Sequence, residues 1–196
     1  MKLILASASP RRAEVLRDAG IAFEAVAPDV DESRLPKEPP EEMVSRLAEA
    51  KARAVAHQAG TAEAIVIGAD TVVLVDDPRG FAVLGKPVSA EDARAMLCRL
   101  SGRTHRVITG LALIRLSDGV ARAERAATQV SFAPLSDEEI AEYVASGEPF
   151  DKAGAYAIQG RGGRYVTRIQ GCYFNVVGLP LARLYRLLRE LGWTGI

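Results

Sequence analysis

Three features of this 196-residue chain predict a mixed α/β fold. Short apolar runs bounded by glycine and proline read as strands, and apolar residues recurring at i, i+3 and i+4 read as helices. The two kinds alternate through the first half, after which strand pairs take over, a pattern that predicts a mixed sheet flanked by helices. Such a sheet is elongated or two-lobed, with a cleft between the lobes for a ligand. A hydrophobic content of 48% is enough for a proper core in a single domain spanning 1–196.

KLILA (2–6) is a buried strand feeding a helix, with Ser9 at the N-cap, Pro10 at the first helical position and an end near Gly20. IAFEAVAP (21–28) alternates like a strand, and DVDESRLPKEPP (29–40) is an acidic, proline-rich loop. A long amphipathic helix follows from about Pro40 to Gly60. AIVIGAD and TVVLVDD (64–77) are strand text broken by Gly68 and Asp70, and a Pro-Arg-Gly turn leads into FAVLGKP (81–87). SAEDARAMLCRLSG (89–102) has a capping serine, an apolar face and a closing glycine, the marks of a helix. Strands near 105–116 and 120–133 meet at Ser117-Asp118-Gly119 as a hairpin. A helix at 136–146 precedes the glycine-dense DKAGAYAIQGRGG (151–163), then strand-like RYVTRIQ and CYFNVVG, and a last helix at 180–192.

Twenty-five basic and twenty-five acidic residues cancel, so no broad positive field attracts long nucleic acids or an anionic membrane surface. An anion site must be local. Cys98 and Cys172 are far apart and lack metal-type spacing, which predicts reduced thiols in an intracellular protein. KLILASAS imitates a signal peptide but its apolar core is too short, and no later run spans a bilayer, so the expected location is the cytoplasm.

Several charges stand where a bare fold would not put them. Arg11 and Arg12 occupy the first turn of a helix, whose start already carries roughly half a positive charge and unpaired N–H groups. Arg12 also begins the apolar stripe continued by Val15, Leu16 and Ala19. It either snorkels from the core or faces an anion held with the Ser7–Ser9 turn and the helix start. Lys51 projects onto the middle of the stripe of Met43, Val44, Leu47, Ala48, Ala54, Val55 and Gln58, a place that favours a buried anionic partner over snorkelling. Arg46, Glu49, Arg53 and His57 fall on the opposite, solvent side. Asp70 lies within apolar text, where it caps a turn, holds a divalent cation or positions a water. Lys86 in GKP reads alone as a surface turn, and His105 as a packed or surface histidine. The glycines around DKAGAYAIQG allow a backbone to approach a flat ligand closely, and the amide of Gln159 suits either a nucleobase edge or an ordinary loop contact. No G-x-x-x-x-G-K-[ST] occurs, which excludes ordinary P-loop chemistry.

Taken in order, SASPRR (7–12), LAEAKA (47–52), GADTVV (68–73), LGKP (84–87), LSGRTH (100–105) and DKAGAYAIQG (151–160) resemble the Maf family of nucleoside triphosphate pyrophosphatases nearly end to end. The resemblance implies a Maf/Ham-type, ITPase-like fold with an elongated sheet and a nucleotide cleft between two lobes. It implies a cytoplasmic, usually dimeric hydrolase that converts a nucleoside triphosphate to the monophosphate and pyrophosphate with magnesium or manganese. By motif position Asp70 is the proton acceptor, while Arg12, Glu32, Lys51 and Lys86 match phosphate- and metal-handling positions. A divalent ion would bridge Asp70 and Glu32, and Asp70 is either base or metal ligand. Ser7 and Ser9 would join the phosphate site, and Arg11, Thr71 and Gln159 match positions linked to base choice. The IQG form containing Gln159 resembles the dTTP/UTP subgroup. The alternatives are 7-methyl-GTP or another modified nucleotide as substrate, or a nucleotide-binding regulator of septum formation.

Overall fold

The computed structural model describes residues 1–59, 63–78 and 80–195. Among the described residues seven strands form one sheet in the order β2-β1-β3-β5-β6-β7, with β4 paired to β3. The strands are β1 (Lys2–Ala6), β2 (Glu24–Val26), β3 (Ala64–Asp77), β4 (Gly80–Leu84), β5 (Thr104–Arg115), β6 (Ala121–Phe132) and β7 (Val166–Gln170). The α-helices are α1 (Pro10–Asp18), α2 (Pro40–Gln58), α3 (Ala90–Leu100), α4 (Asp137–Ala145), α5 (Tyr173–Val177) and α6 (Leu181–Glu190). Gly60, at the expected end of α2, and Arg79, in the turn before β4, lie outside the described residues. The chain divides into two compact units: Met1–Asp70 with Thr109–Ala126 and Gly178–Ile196, and Thr71–Ile108 with Ala127–Val177.

In the first unit β1 runs parallel to both β2 and β3, pairing Ile4 with Glu24 and with Val66. Residues 64–77 form one strand that runs on through Gly68 and Asp70, the two residues that break its nearly continuous apolar text. Gly68 interrupts nothing because its missing side chain serves packing: a Cβ there would lie 2.1 Å from the Ala48 carbonyl oxygen. A Cβ at Gly110 of β5 would lie 2.2 Å from the Val44 carbonyl oxygen. The two glycines let the backbone of α2 lie directly on β3 and β5. Ile4, Ala48, Ala52, Val55, Val66 and Ile114 close the core around that contact.

Helix α1 starts as its Ser-Pro signal predicts, with Ser9 extended and Pro10 leading, but the Ser9 hydroxyl makes no capping bond. The Ser9 N–H instead donates to Ser7 Oγ at 3.1 Å.

In the second unit the outer part of β3 pairs antiparallel with β4, and β6 with β7. Ser89 caps α3 by accepting the Asp92 N–H, and Ser136 with Glu139 forms a capping box on α4. Leu97, Leu100, Val107, Phe132, Tyr143, Tyr156 and Tyr165 build its core. The DKAGAYAIQGRGG segment folds as short 3-10 turns, with Gly154 and Ala155 both at positive φ. The strand expected at CYFNVVG is instead the short helix α5. Gly171, at φ +129°, turns the chain after β7. The Cys172 N–H then donates to Thr128 Oγ1, and the buried Asn175 amide donates to the Val107 carbonyl at 2.9 Å and to Thr128 Oγ1 at 3.0 Å. These tertiary bonds override the β-propensity of the local residues.

Candidate active site

The first unit gathers most of the anomalous charges. Lys51, in mid-α2, is 5% exposed, and its Nζ lies 2.7 Å from Asp70 Oδ1 and 2.7 Å from Glu32 Oε1. The ammonium is therefore not snorkelling. It is brought there by the close seating of α2 on the glycines of the sheet, while β3 delivers Asp70, itself 8% exposed, to the same spot.

Glu32 comes from the acidic loop, and its side chain remains 52% exposed. Its neighbour Asp31 is occupied locally, accepting from the Ser33 N–H and hydroxyl, each at 2.9 Å. The loop is fastened to α2 by Arg46, which donates to both carboxylate oxygens of Glu38 and to the Ser33 carbonyl. Helical projection assigned Arg46 to bulk solvent. The tether depends on where the irregular 29–40 segment travels, which no periodicity reports.

Arg12 is buried, with Nε donating to the Gly178 carbonyl at 2.8 Å and a terminal nitrogen to Ser7 Oγ at 3.3 Å. Burial lowers its pKa from the ordinary arginine value, the nearby Asp70 opposes that shift, Arg11 adds to it, and Glu32 opposes it. These couplings put Arg11, Arg12, Asp70 and Glu32 in one electrostatic neighbourhood. The Gly178 carbonyl, which fixes the guanidinium, carried no sequence signal. Ser7 is buried, and Ser9 and Arg11 are half-buried beside the start of α1.

Three predicted residues belong to the second unit. Thr71 follows Asp70 along β3 and is half-buried, Lys86 is exposed after β4, and Gln159 is exposed between the 3-10 turns. The Gly154 N–H donates to the Gly85 carbonyl at 3.0 Å, tying the Lys86 loop to the glycine segment that leads to Gln159. His105 is packed, as expected, with Nε2 2.9 Å from the Tyr156 hydroxyl. His57 is exposed, and Cys98 and Cys172 are free thiols.

Asp70 and Glu32 share one ammonium, which brings two hard carboxylate oxygens close together. Among the described residues no group of three or more His, Cys, Asp or Glu side chains gathers as a metal site. Two carboxylates with the remaining positions left to phosphate oxygens and water is a donor set that suits Mg²⁺ or Mn²⁺, so the residues fit such an ion. Arg11, Arg12 and Lys51 supply positive charge for a polyanion, and Asp70 a carboxylate able to accept a proton.

This mixed sheet with its flanking helices is a known α/β fold: it superposes on the Staphylococcus aureus Ham1 protein with a TM-score of 0.56 at 14% identity, over 97% of this chain and 100% of that one. Residues 2–191 match the family model described as Maf-like protein, and the chain belongs to that family. It is 51% identical to a dTTP/UTP pyrophosphatase of Symbiobacterium thermophilum over 98% of this chain and 95% of that protein. It is 50% identical to a dTTP/UTP pyrophosphatase of Geobacter sp. strain M21 over 98% of this chain and 97% of the relative. Among the described residues no helix is long and apolar enough to cross a membrane.

Proposed function

We propose that this protein hydrolyses dTTP and UTP between the α- and β-phosphates, releasing the nucleoside monophosphate and pyrophosphate. The observation that carries the reading is Lys51, buried between Asp70 and Glu32, the two carboxylates to which Arg12 is also coupled, in a chain about half identical to relatives of that name over nearly their whole length. A buried lysine shared by two carboxylates beside a second buried cation is an expensive arrangement for a fold alone.

Arg12 is held by the Gly178 carbonyl and Ser7 Oγ, and its guanidinium serves a phosphate oxygen of the nucleotide. Lys51 orients Asp70 in the resting site, and on nucleotide binding its ammonium also serves the phosphate chain. Asp70 accepts the proton of the water that attacks the α-phosphorus, and Arg11, Arg12 and Lys51 stabilise the charge developing on pyrophosphate. A divalent cation held by Asp70 and Glu32 would add charge neutralisation and lower the pKa of a bound water. Lys86 is assigned to the phosphate chain, and Thr71 and Gln159 to the base, on the strength of the motif positions they occupy. The homodimer and the cytoplasmic location belong to the same proposal, and sedimentation of the purified protein tests the former.

The deciding experiment is a panel of ordinary and modified triphosphates with separate detection of pyrophosphate and orthophosphate. Pyrophosphate released from dTTP and UTP ahead of the other nucleotides is the expected result. Orthophosphate as the sole first product, or nucleotide binding with no turnover, overturns the reading.

A further inference from the structure

Gln159 sits in the middle of a short loop whose two ends are fastened by one pair of side chains, Tyr143 of α4 and Glu148 just beyond it. Before Gln159, the Ala157 N–H donates to the Tyr143 hydroxyl at 3.0 Å. After it, the Arg161 N–H donates to Glu148 Oε2 at 3.0 Å and the Gly162 N–H to Glu148 Oε1 at 3.1 Å. The two anchors are joined, because the Tyr143 hydroxyl donates to Glu148 Oε1 at 2.7 Å.

The glycines of the loop are shaped around this pair. A Cβ at Gly160 would lie 2.4 Å from Glu148 Oε2, and one at Gly162 would lie 2.5 Å from the Tyr143 hydroxyl oxygen. The carboxylate is half-buried, and burial works against its charge. The Tyr143 hydroxyl and the two backbone N–H groups nonetheless hold its pKa below the ordinary glutamate value. Tyr143 is fully buried in the aromatic core, its ring edge-on to Tyr165 at 5.4 Å, so the clamp is built on a rigid base.

We propose that Glu148 and Tyr143 are positioning residues for nucleobase selection: they fix the backbone of 157–162 and thereby the angle at which Gln159 presents its amide. The inference rests on the proposed reading that Gln159 meets the base. An amide discriminates among bases only when its donor and acceptor are held within a fraction of an ångström. Glu148 supplies that constraint without touching the nucleotide. The carboxylate accepts three hydrogen bonds, which an amide of the same shape cannot do, since one of its two arms donates.

The test compares Glu148→Gln, Tyr143→Phe, Gln159→Ala and the Glu148→Gln/Gln159→Ala double variant. For each, kcat/KM is measured for UTP and for a purine triphosphate. Glu148→Gln is expected to lower the UTP-to-purine ratio about tenfold, the scale of a small misplacement of a contact group. Gln159→Ala lowers the same ratio, and the double variant falls no further than the lower single, because both changes act through one contact. An equal loss of kcat/KM for every triphosphate in Glu148→Gln means the clamp only stabilises the fold, and overturns the proposal. A ratio unmoved by Gln159→Ala removes base reading by Gln159 and the clamp's role with it. A ratio moved by Gln159→Ala but not by Glu148→Gln removes the clamp alone. Should Glu148→Gln not fold, Tyr143→Phe, which deletes one oxygen, decides by the same ratio.

Discussion

Replacing Lys51 with methionine keeps the length of the side chain and removes the ammonium that Asp70 and Glu32 share. The two carboxylates respond differently. The Glu32 side chain is 52% exposed and returns to water at little cost, whereas that of Asp70, only 11% exposed, is left without its partner in poorly solvated surroundings. Stranding one partner of a buried pair costs about 3–5 kcal/mol. At about 2–4 °C per kcal/mol for a chain of this size, the melting temperature is expected to fall on the order of 10 °C. Adding Asp70→Asn to the same chain removes the stranded charge, so the double variant recovers more than half of that loss despite carrying two changes. In kcat/KM the Lys51 variant loses about 2–4 kcal/mol, roughly a thirtyfold to several-hundredfold decrease. Calorimetric melts of the wild type, both singles and the double provide the cycle. An unchanged melting temperature for Lys51→Met, or strictly additive losses in the double variant, would refute the shared-ammonium account.

Asp70→Asn alone is expected to abolish turnover while leaving nucleotide binding measurable by calorimetry, and full residual activity would remove Asp70 from the chemistry. Arg12→Lys loses the planar fork that reaches Gly178 and Ser7 together, so binding of every triphosphate weakens to a similar degree. Gly68→Ala drives a Cβ into the Ala48 carbonyl and is expected to cost about 2 kcal/mol or more, with turnover falling as Lys51 shifts along with α2. Burial pushes His105 down to about 4 from 6.5, so between those pH values the unfolded chain binds a proton that the folded chain does not. Its contribution to stability is complete above pH 6.5 and is lost as pH falls towards 4, about 3 kcal/mol in all. Melts of His105→Gln across that window should show a shallower pH slope than the wild type.

The strand and helix pattern was legible wherever one face is apolar and the ends carry their own chemistry, as in α3 with its Ser89 cap and α4 with its capping box. It misled at 172–178, where β-forming residues are overruled by the bonds of Asn175 and Thr128 to distant backbone and side chains. Lys51 was legible for the opposite reason: a charge at the centre of an apolar stripe violates the local rule, and such a violation needs a partner. Arg12 announced itself in the same way. The tether from Arg46 to Glu38, the Gly178 carbonyl and the Tyr143–Glu148 clamp were not legible. Each depends on irregular backbone, whose path has no period in the sequence. The twist of meaning at Gly68 is similar, since a strand-breaking residue locally is a helix-docking residue in the folded chain.

The central claim is that water held near Asp70 attacks the α-phosphorus of a pyrimidine triphosphate within a cage of cations that includes Arg12 and Lys51. Single-turnover hydrolysis of UTP in water carrying a heavy oxygen isotope, with mass analysis of both products, tests it most directly. The account predicts that UMP carries the label and pyrophosphate does not. Label in pyrophosphate, or UDP with labelled orthophosphate, would contradict it.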